Sequence, residues 1–161
     1  AFTVDPNAIF TPIHGPVGQV IATTGSGWSQ PQTIGVGDVT IDGIVALHSL
    51  VIDGSGVLSG NITCPAEVGG LTAKDIVITG SVLGAQTFAA AFTVDPTAAF
   101  VPDHGPIGQV IATTGDGWTN AETIGVGDVT VGGAVATHTL TVDAGGLLTG
   151  NITCQIGRGH V

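Results

Sequence analysis

Cys64 and Cys154 stand 90 residues apart, and four of the five histidines share that spacing, His14 with His104 and His48 with His138. Cysteines in Cys-x-x-Cys or Cys-x-x-Cys-His spacing would do redox chemistry or hold a c-type haem, and neither spacing occurs. A disulfide in this chain therefore has to join its two halves, or two chains, with Cα atoms within about 7 Å; free buried thiols are the alternative. Zinc-binding histidines would show as His-x-His, His-x-x-His or His-Glu-x-x-His, which are absent. All five, His160 included, are expected at the surface or packed across strands. Asp38, Asp42, Asp53, Asp128 and Asp143 carry oxygen ligands that Ca²⁺ accepts at turns. Gly132 stands where the first half has Asp42, and turn formation is the expected role of these residues. Gly25-Ser26-Gly27 lacks the strand-to-helix setting of a nucleophile elbow, and Asp116 replaces Ser26 in the second half. No catalytic residue, no metal site and no cofactor is expected, and the chain does not read as an enzyme. One modification signal remains: Asn61-Ile62-Thr63 and Asn151-Ile152-Thr153 are sequons, making Asn61 and Asn151 candidate N-glycosylation acceptors.

These residues sit in 161 residues with 12 acidic and 2 basic side chains, a formal net charge of −10. Two basic residues cannot neutralise the phosphates that nucleic-acid binding requires, and an anionic membrane repels such a chain. A hydrophobic content of 43% argues against disorder. The longest apolar run free of glycine and polar residues, at 88–92, is far short of the roughly 20 residues of a membrane-spanning helix. The absence of methionine implies processing or excision from a longer chain. Two cysteines, one lysine and many Thr, Ser and Gly suit an extracellular or cell-surface protein.

The spacing of 90 is a tandem duplication. Residues 1–64 align with 91–154 without a gap, and 43 of these 64 positions are identical. Within each copy, short runs of Val, Ile, Thr and Leu are cut by Gly, Asp-Gly and Pro every 8 to 12 residues, with no helical period. Strands are expected at 19–24, at 33–41 (weakened by Gly35 and Gly37), and at 45–52 and 57–64, which form a hairpin over Asp53-Gly54-Ser55-Gly56. A second hairpin is expected from 73–79 and 86–94 around 80–84. Alternation in 57–64 turns Leu58 and Ile62 to the core and Asn61 to solvent. Trp28 and Trp118, equivalent in the two copies, are expected to anchor one core each. The fold class is all-β: two tandem immunoglobulin-like β-sandwich units.

Gly15-Pro16-Val17-Gly18, a Val/Thr strand and Gly25-Ser26-Gly27-Trp28 resemble the opening of IPT/TIG-type immunoglobulin-like repeats of prokaryotic extracellular surface or filament proteins. The 51–63 hairpin and the 73–96 segment resemble the later strands of those modules. The resemblance implies a spacer, an adhesin stalk, or a subunit of a surface layer or fibre.

Divided on that pattern, the chain has an N-terminal strand and linker at 1–11, unit 1 at 12–96 and unit 2 at 97–161. Unit 2 stops where the closing hairpin of unit 1 starts, so it is expected to lack its closing strands. Ala1, Phe2, Thr3, Val4, Asp5 and Pro6 repeat the end of that hairpin, Ala91 to Pro96, with no unit before them. They are the candidate donor strand for a neighbouring copy, by addition to an exposed sheet edge. The expected function is a structural subunit of an extracellular filament or surface layer, with copies of itself as partners. The alternative is an adhesin or glycan-binding stalk module excerpted from a longer repeat protein.

Overall fold

Alternating apolar and polar residues make strands, and in this chain glycine and aspartate decide where each one stops. The computed structural model describes residues 5–30 and 32–155. All regular structure among them is β.

Unit 1 is two sheets face to face. The first has β1 (Ile9–Thr11), β3 (Val20–Gly25) and β8 (Leu58–Thr63), then β6 (Leu47–His48), with β7 (Val51–Ile52) also on β8. The second runs β2 (His14–Gly15), β10 (Gly84–Val94), β9 (Ala73–Gly80), β4 (Val39–Ile41), β5 (Ile44–Val45). All neighbours are antiparallel except β2 and β10, which run parallel. The inner faces meet in one apolar cluster that includes Phe10, Ile21, Trp28, Ile62, Ile76, Ile78, Phe92 and Val94. Leu58 and Ile62 face it and Asn61 is exposed, as the period-2 alternation requires.

Three local departures from simple alternation have identifiable causes. The expected strand at 33–41 begins only at Val39, because the Asp38 carboxylate accepts a hydrogen bond from Gly35 N at 2.7 Å and closes residues 35–38 into a turn. The expected strand at 45–52 is three short pieces, because the chain changes sheet at Ala46. β5 pairs with β4 in one sheet, and β6 pairs with β8 in the other. Ala46, 2% exposed, is small enough to pass between the layers. Residues 1–11 are not linker throughout, since Ile9–Thr11 is β1 and Phe10 reaches the core.

The centre of β8 shows why glycine recurs there. Gly60 has φ +135°, and a Cβ would lie 2.5 Å from Ser49 O; Gly150 has the same φ and the same approach to Thr139 O. A side chain at either position would push away the chain crossing over it.

Unit 2 repeats the first sheet closely. β11 (Ala99–Val101), β12 (Val110–Gly115) and β17 (Leu148–Thr153) pair in order, with β15 (Thr137–His138) and β16 (Thr141–Val142) on β17. Its second sheet holds, among the described residues, only β13 (Thr130–Val131) and β14 (Ala134–Val135), the counterparts of β4 and β5. The units meet where Gly70 N donates to Trp118 O at 3.3 Å.

Candidate functional site

In unit 1 the hairpin β9–β10 supplies the lid of the core. Ile76 and Ile78 on β9, and Phe92 and Val94 on β10, are each 0% exposed. Phe88 stacks edge-on against Phe10, with ring centroids 5.5 Å apart at 69°, and tilts against Trp28 at 6.4 Å. The far half of β10 lies beside β2, where Thr93 N donates to Ile13 O and Asp95 N to Gly15 O, each at 2.9 Å. A register shift between Phe88 and Phe92 turns that half back onto the core, with Ala90 N donating to the Asp75 carboxylate at 2.8 Å.

The turn of the hairpin, residues 81–83, is held from outside. The buried Gln32 Oε1 accepts from Val82 N at 3.2 Å and Leu83 N at 2.9 Å. Ser81 N donates to Thr33 O, and Thr33 N to Ser81 Oγ, both at 3.0 Å. Gly80 is needed there, because a Cβ would run into the Gln32 amide.

In unit 2 the same core residues line an open groove of about 610 Å³, with Phe100, Ile111, Trp118, Val131, Leu148 and Ile152 on its walls. Phe10 is 7% exposed and its counterpart Phe100 50%. Val129, Val131 and Leu140 are half-buried where Val39, Ile41 and Leu50 are buried. Residues 104–105, the counterpart of β2, form no strand, and Gly105 is exposed where Gly15 is buried. The groove is apolar, with Asp103 and Asp128 at its edge. Chemically it offers a place for aliphatic and aromatic side chains and for strands that pair along β13 and residues 103–105.

No family model matches the chain. No curated protein matches it either. Among solved structures, it is similar to that of the adhesin InvE of Yersinia pseudotuberculosis, with 16% identity, TM-score 0.44, and coverage of 96% of this chain and 52% of that one. It is also similar to FdeC, an adhesin of Escherichia coli, with 12% identity, TM-score 0.29, and coverage of 96% and 56%. The chain spans about half the length of these structures.

The structure distributes the sequence-predicted residues unevenly. Of the donor strand, Ala1, Phe2, Thr3 and Val4 lie outside the described residues; Asp5 is exposed and Pro6 half-buried. Trp28 is buried as a core anchor, its Nε1 donating to Asn7 O at 3.0 Å. Trp118 keeps the equivalent bond, to Thr97 O at 2.8 Å, but is only half-buried and lines the groove. It does not anchor a sealed core, because Phe88 has no counterpart among the described residues of unit 2. Both cysteines are free thiols, so the bridge between the two halves is not formed. Cys64 is buried in the core of unit 1, and desolvation pushes its pKa up to about 11. Asn61 and Asn151 are exposed at the centres of β8 and β17.

Among the described residues, no three His, Cys, Asp or Glu side chains gather as a metal site. The aspartates act locally: Asp53 accepts from Ser55 N at 2.7 Å and Val57 N at 3.0 Å, and Asp143 from Gly145 N at 2.8 Å and Leu147 N at 3.0 Å. Asp42 instead pairs with Lys74 at 3.0 Å. His48 Nε2 lies 2.9 Å from Gly35 O, and His138 Nε2 3.1 Å from Gly125 O.

Two pairs of positioning residues have no motif to announce them: Gln32 with its counterpart Glu122, and His14 with its partner Asp95. The usable signal was the comparison between copies, in which Gln32 becomes its near-isostere Glu122 and Asp95 recurs as Asp5.

Proposed function

We propose that this chain is a structural subunit of an extracellular filament or surface layer, joined head-to-tail by β-strand complementation. Residues 1–6 of one subunit enter the groove of unit 2 in the next, in the register that residues 91–96 hold in unit 1. Phe2 then takes the place of Phe92 and Val4 that of Val94, while Asp5 meets His104 as Asp95 meets His14. The observation that carries this reading is internal to the molecule. One set of core residues is sealed in unit 1 and open in unit 2, and the six residues ending the sealing strand recur, identical, at 1–6.

An apolar groove flanked by unpaired strand edges is costly in water and favours an added strand. Burying Phe and Val side chains there contributes roughly 1.5–3 kcal/mol each. Because donor (residues 1–6) and acceptor (unit 2) are different segments of the chain, the contact is heterologous and can propagate from copy to copy. An extracellular setting fits the charge and composition, and glycans on Asn61 and Asn151 would cover an outer sheet face poor in charge.

The test is electron microscopy of the purified chain with paired cysteines Thr3→Cys and His104→Cys, in a Cys64→Ala/Cys154→Ala background. Filaments together with an oxidised covalent ladder are expected. The neighbouring pair Val4→Cys and His104→Cys should not crosslink, since a one-residue shift turns the side chain to the other face. Absence of both filaments and ladder would refute the proposal.

A second reading is favoured by one observation: the opening in unit 2 is two strands wide, for counterparts of both β9 and β10. A stalk module within a longer repeat array, its groove filled covalently, meets that width. Such a module purifies as a monomer once its next hairpin is supplied, and as an adhesin it would bind glycans in that state.

A further inference from the structure

We infer that the groove of unit 2 is a seat for a two-stranded hairpin, the closing hairpin of a neighbouring copy of this repeat, and that Glu122 with Thr123 holds its turn. The inference rests on the strand-completion reading above and names the element that completes the unit.

Glu122 and Thr123 stand 90 residues after Gln32 and Thr33, the pair that holds the turn 81–83 in unit 1. Thr123 keeps the backbone N–H and C=O that Ser81 uses. Glu122 replaces the amide of Gln32 by a carboxylate of nearly the same shape. Its Oε2 is closed off from solvent and has no hydrogen-bond partner, the one such side-chain atom among the described residues. Buried polar atoms in folded proteins are nearly always paired, so an orphan calls for an explanation. An ionised carboxylate only accepts, so its missing partner is a donor. In unit 1 the equivalent position receives two backbone N–H groups, those of Val82 and Leu83. A hairpin turn in unit 2 would bring the same two donors to the Glu122 carboxylate, which would leave its covered, unpartnered position by side-chain rotation to accept them.

A single strand in the register of residues 91–96 cannot do this. That register lies at the far end of β10, with Thr93 beside His14 and Val94 beside Gly15. The turn lies before Gly84, about 30 Å away at the rise of an extended strand. The place of β9, where Ile76 and Ile78 reach the core of unit 1, would also stay empty. A hairpin with the character of Ala73–Gly80 and Gly84–Val94 fills both strand places and reaches Glu122, with residues 1–6 carrying the sequence that ends its outer arm.

The experiment titrates the full chain with two synthetic peptides, residues 72–96 and residues 1–6 of this sequence, and reads binding by calorimetry. The longer peptide is expected to bind more tightly. Glu122→Ala should weaken it by about tenfold or more, the loss of hydrogen bonds to a charged group. Glu122→Gln, which restores the residue of unit 1, should bind as the parent does, and this separates a lost contact from a misfolded variant. If residues 1–6 bind as tightly as the hairpin, or if Glu122→Ala binds it unchanged, the inference is overturned while strand completion stands. If neither peptide binds a chain that sediments as a monomer, both fall.

Discussion

His14 Nδ1 lies 2.8 Å from Asp95 Oδ2, tying the start of β2 to the residue that follows β10. The pair joins the two parallel strands at the point where the chain leaves unit 1. Both side chains are well exposed, 66% and 50%, so solvent screens the attraction. Removing either partner should cost less than about 1 kcal/mol. A double-mutant cycle of His14→Ala and Asp95→Ala, followed by urea unfolding, should show a coupling energy within that bound; a larger value would mean the pair is more than a register mark.

Equivalent phenylalanines should differ in energetic weight. Phe10→Ala empties a sealed core position and is expected to cost about 3–5 kcal/mol. Phe100→Ala, at a position 50% exposed, should cost less than half as much. Denaturant unfolding of the unassembled chain measures both. Filling the groove of unit 2 should bring the cost at Phe100 up toward that at Phe10.

The two tryptophans provide an optical version of the same test. With Trp28→Phe, the remaining Trp118 should emit to the red and be quenched readily by iodide. With Trp118→Phe, the buried Trp28 should emit to the blue and resist quenching. Assembly, or a bound hairpin, should move the Trp118 signal and leave that of Trp28 in place.

Thiol reactivity should split in two. The buried Cys64, its pKa raised to about 11 by desolvation, is nearly all thiol at pH 8 and should react slowly with a disulfide reagent. Cys154 is only half-buried and should be modified first. Denaturant should make the two rates equal.

Hydrogen bonds from Val57 N, from the Ser55 hydroxyl and from Ser55 N hold the Asp53 carboxyl below its ordinary value of 3.8. The unfolded chain therefore takes up this proton at higher pH than the folded one does. The contribution of Asp53 is complete above pH 4 or so and is lost as pH falls through the folded value. The stability of Asp53→Asn should depend less on pH between about 4 and 2 than that of the parent. Acid titration followed by circular dichroism compares the two.

The parts of the fold legible in the sequence were those with local causes. The strand at 57–64 could be oriented because Leu58, Asn61 and Ile62 alternate without interruption, and the 73–94 hairpin because Gly80 and Gly84 bracket its turn. The passage of the chain between sheets at Ala46 was not legible, because it depends on which strand each side of Ala46 pairs with, and periodicity does not encode partners. The exposure of Trp118 follows from what is absent around it, while its own neighbours in sequence match those of Trp28. For the site, the open side of unit 2 was legible from the offset of 90, since the counterpart of 73–96 could be sought directly. The part played by Gln32 was not, because a single glutamine near a turn signals nothing until the backbone N–H groups of Val82 and Leu83 are placed against it.

The parallel pairing of β2 with β10 has a mechanical consequence. Beyond Val94 the chain continues through Pro96 and Thr97 into unit 2, while before His14 it leads back toward the opposite end of unit 1. Tension that reaches these two strands from the two sides draws them in opposite directions along a shared axis. The bonds from Thr93 N to Ile13 O and from Asp95 N to Gly15 O then bear the load together as a shear joint, whereas strands pulled from the same end unzip bond by bond. A strand seated in parallel along residues 103–105 of unit 2 would transmit force in the same way, so each junction would resist stretching as firmly as the unit beside it.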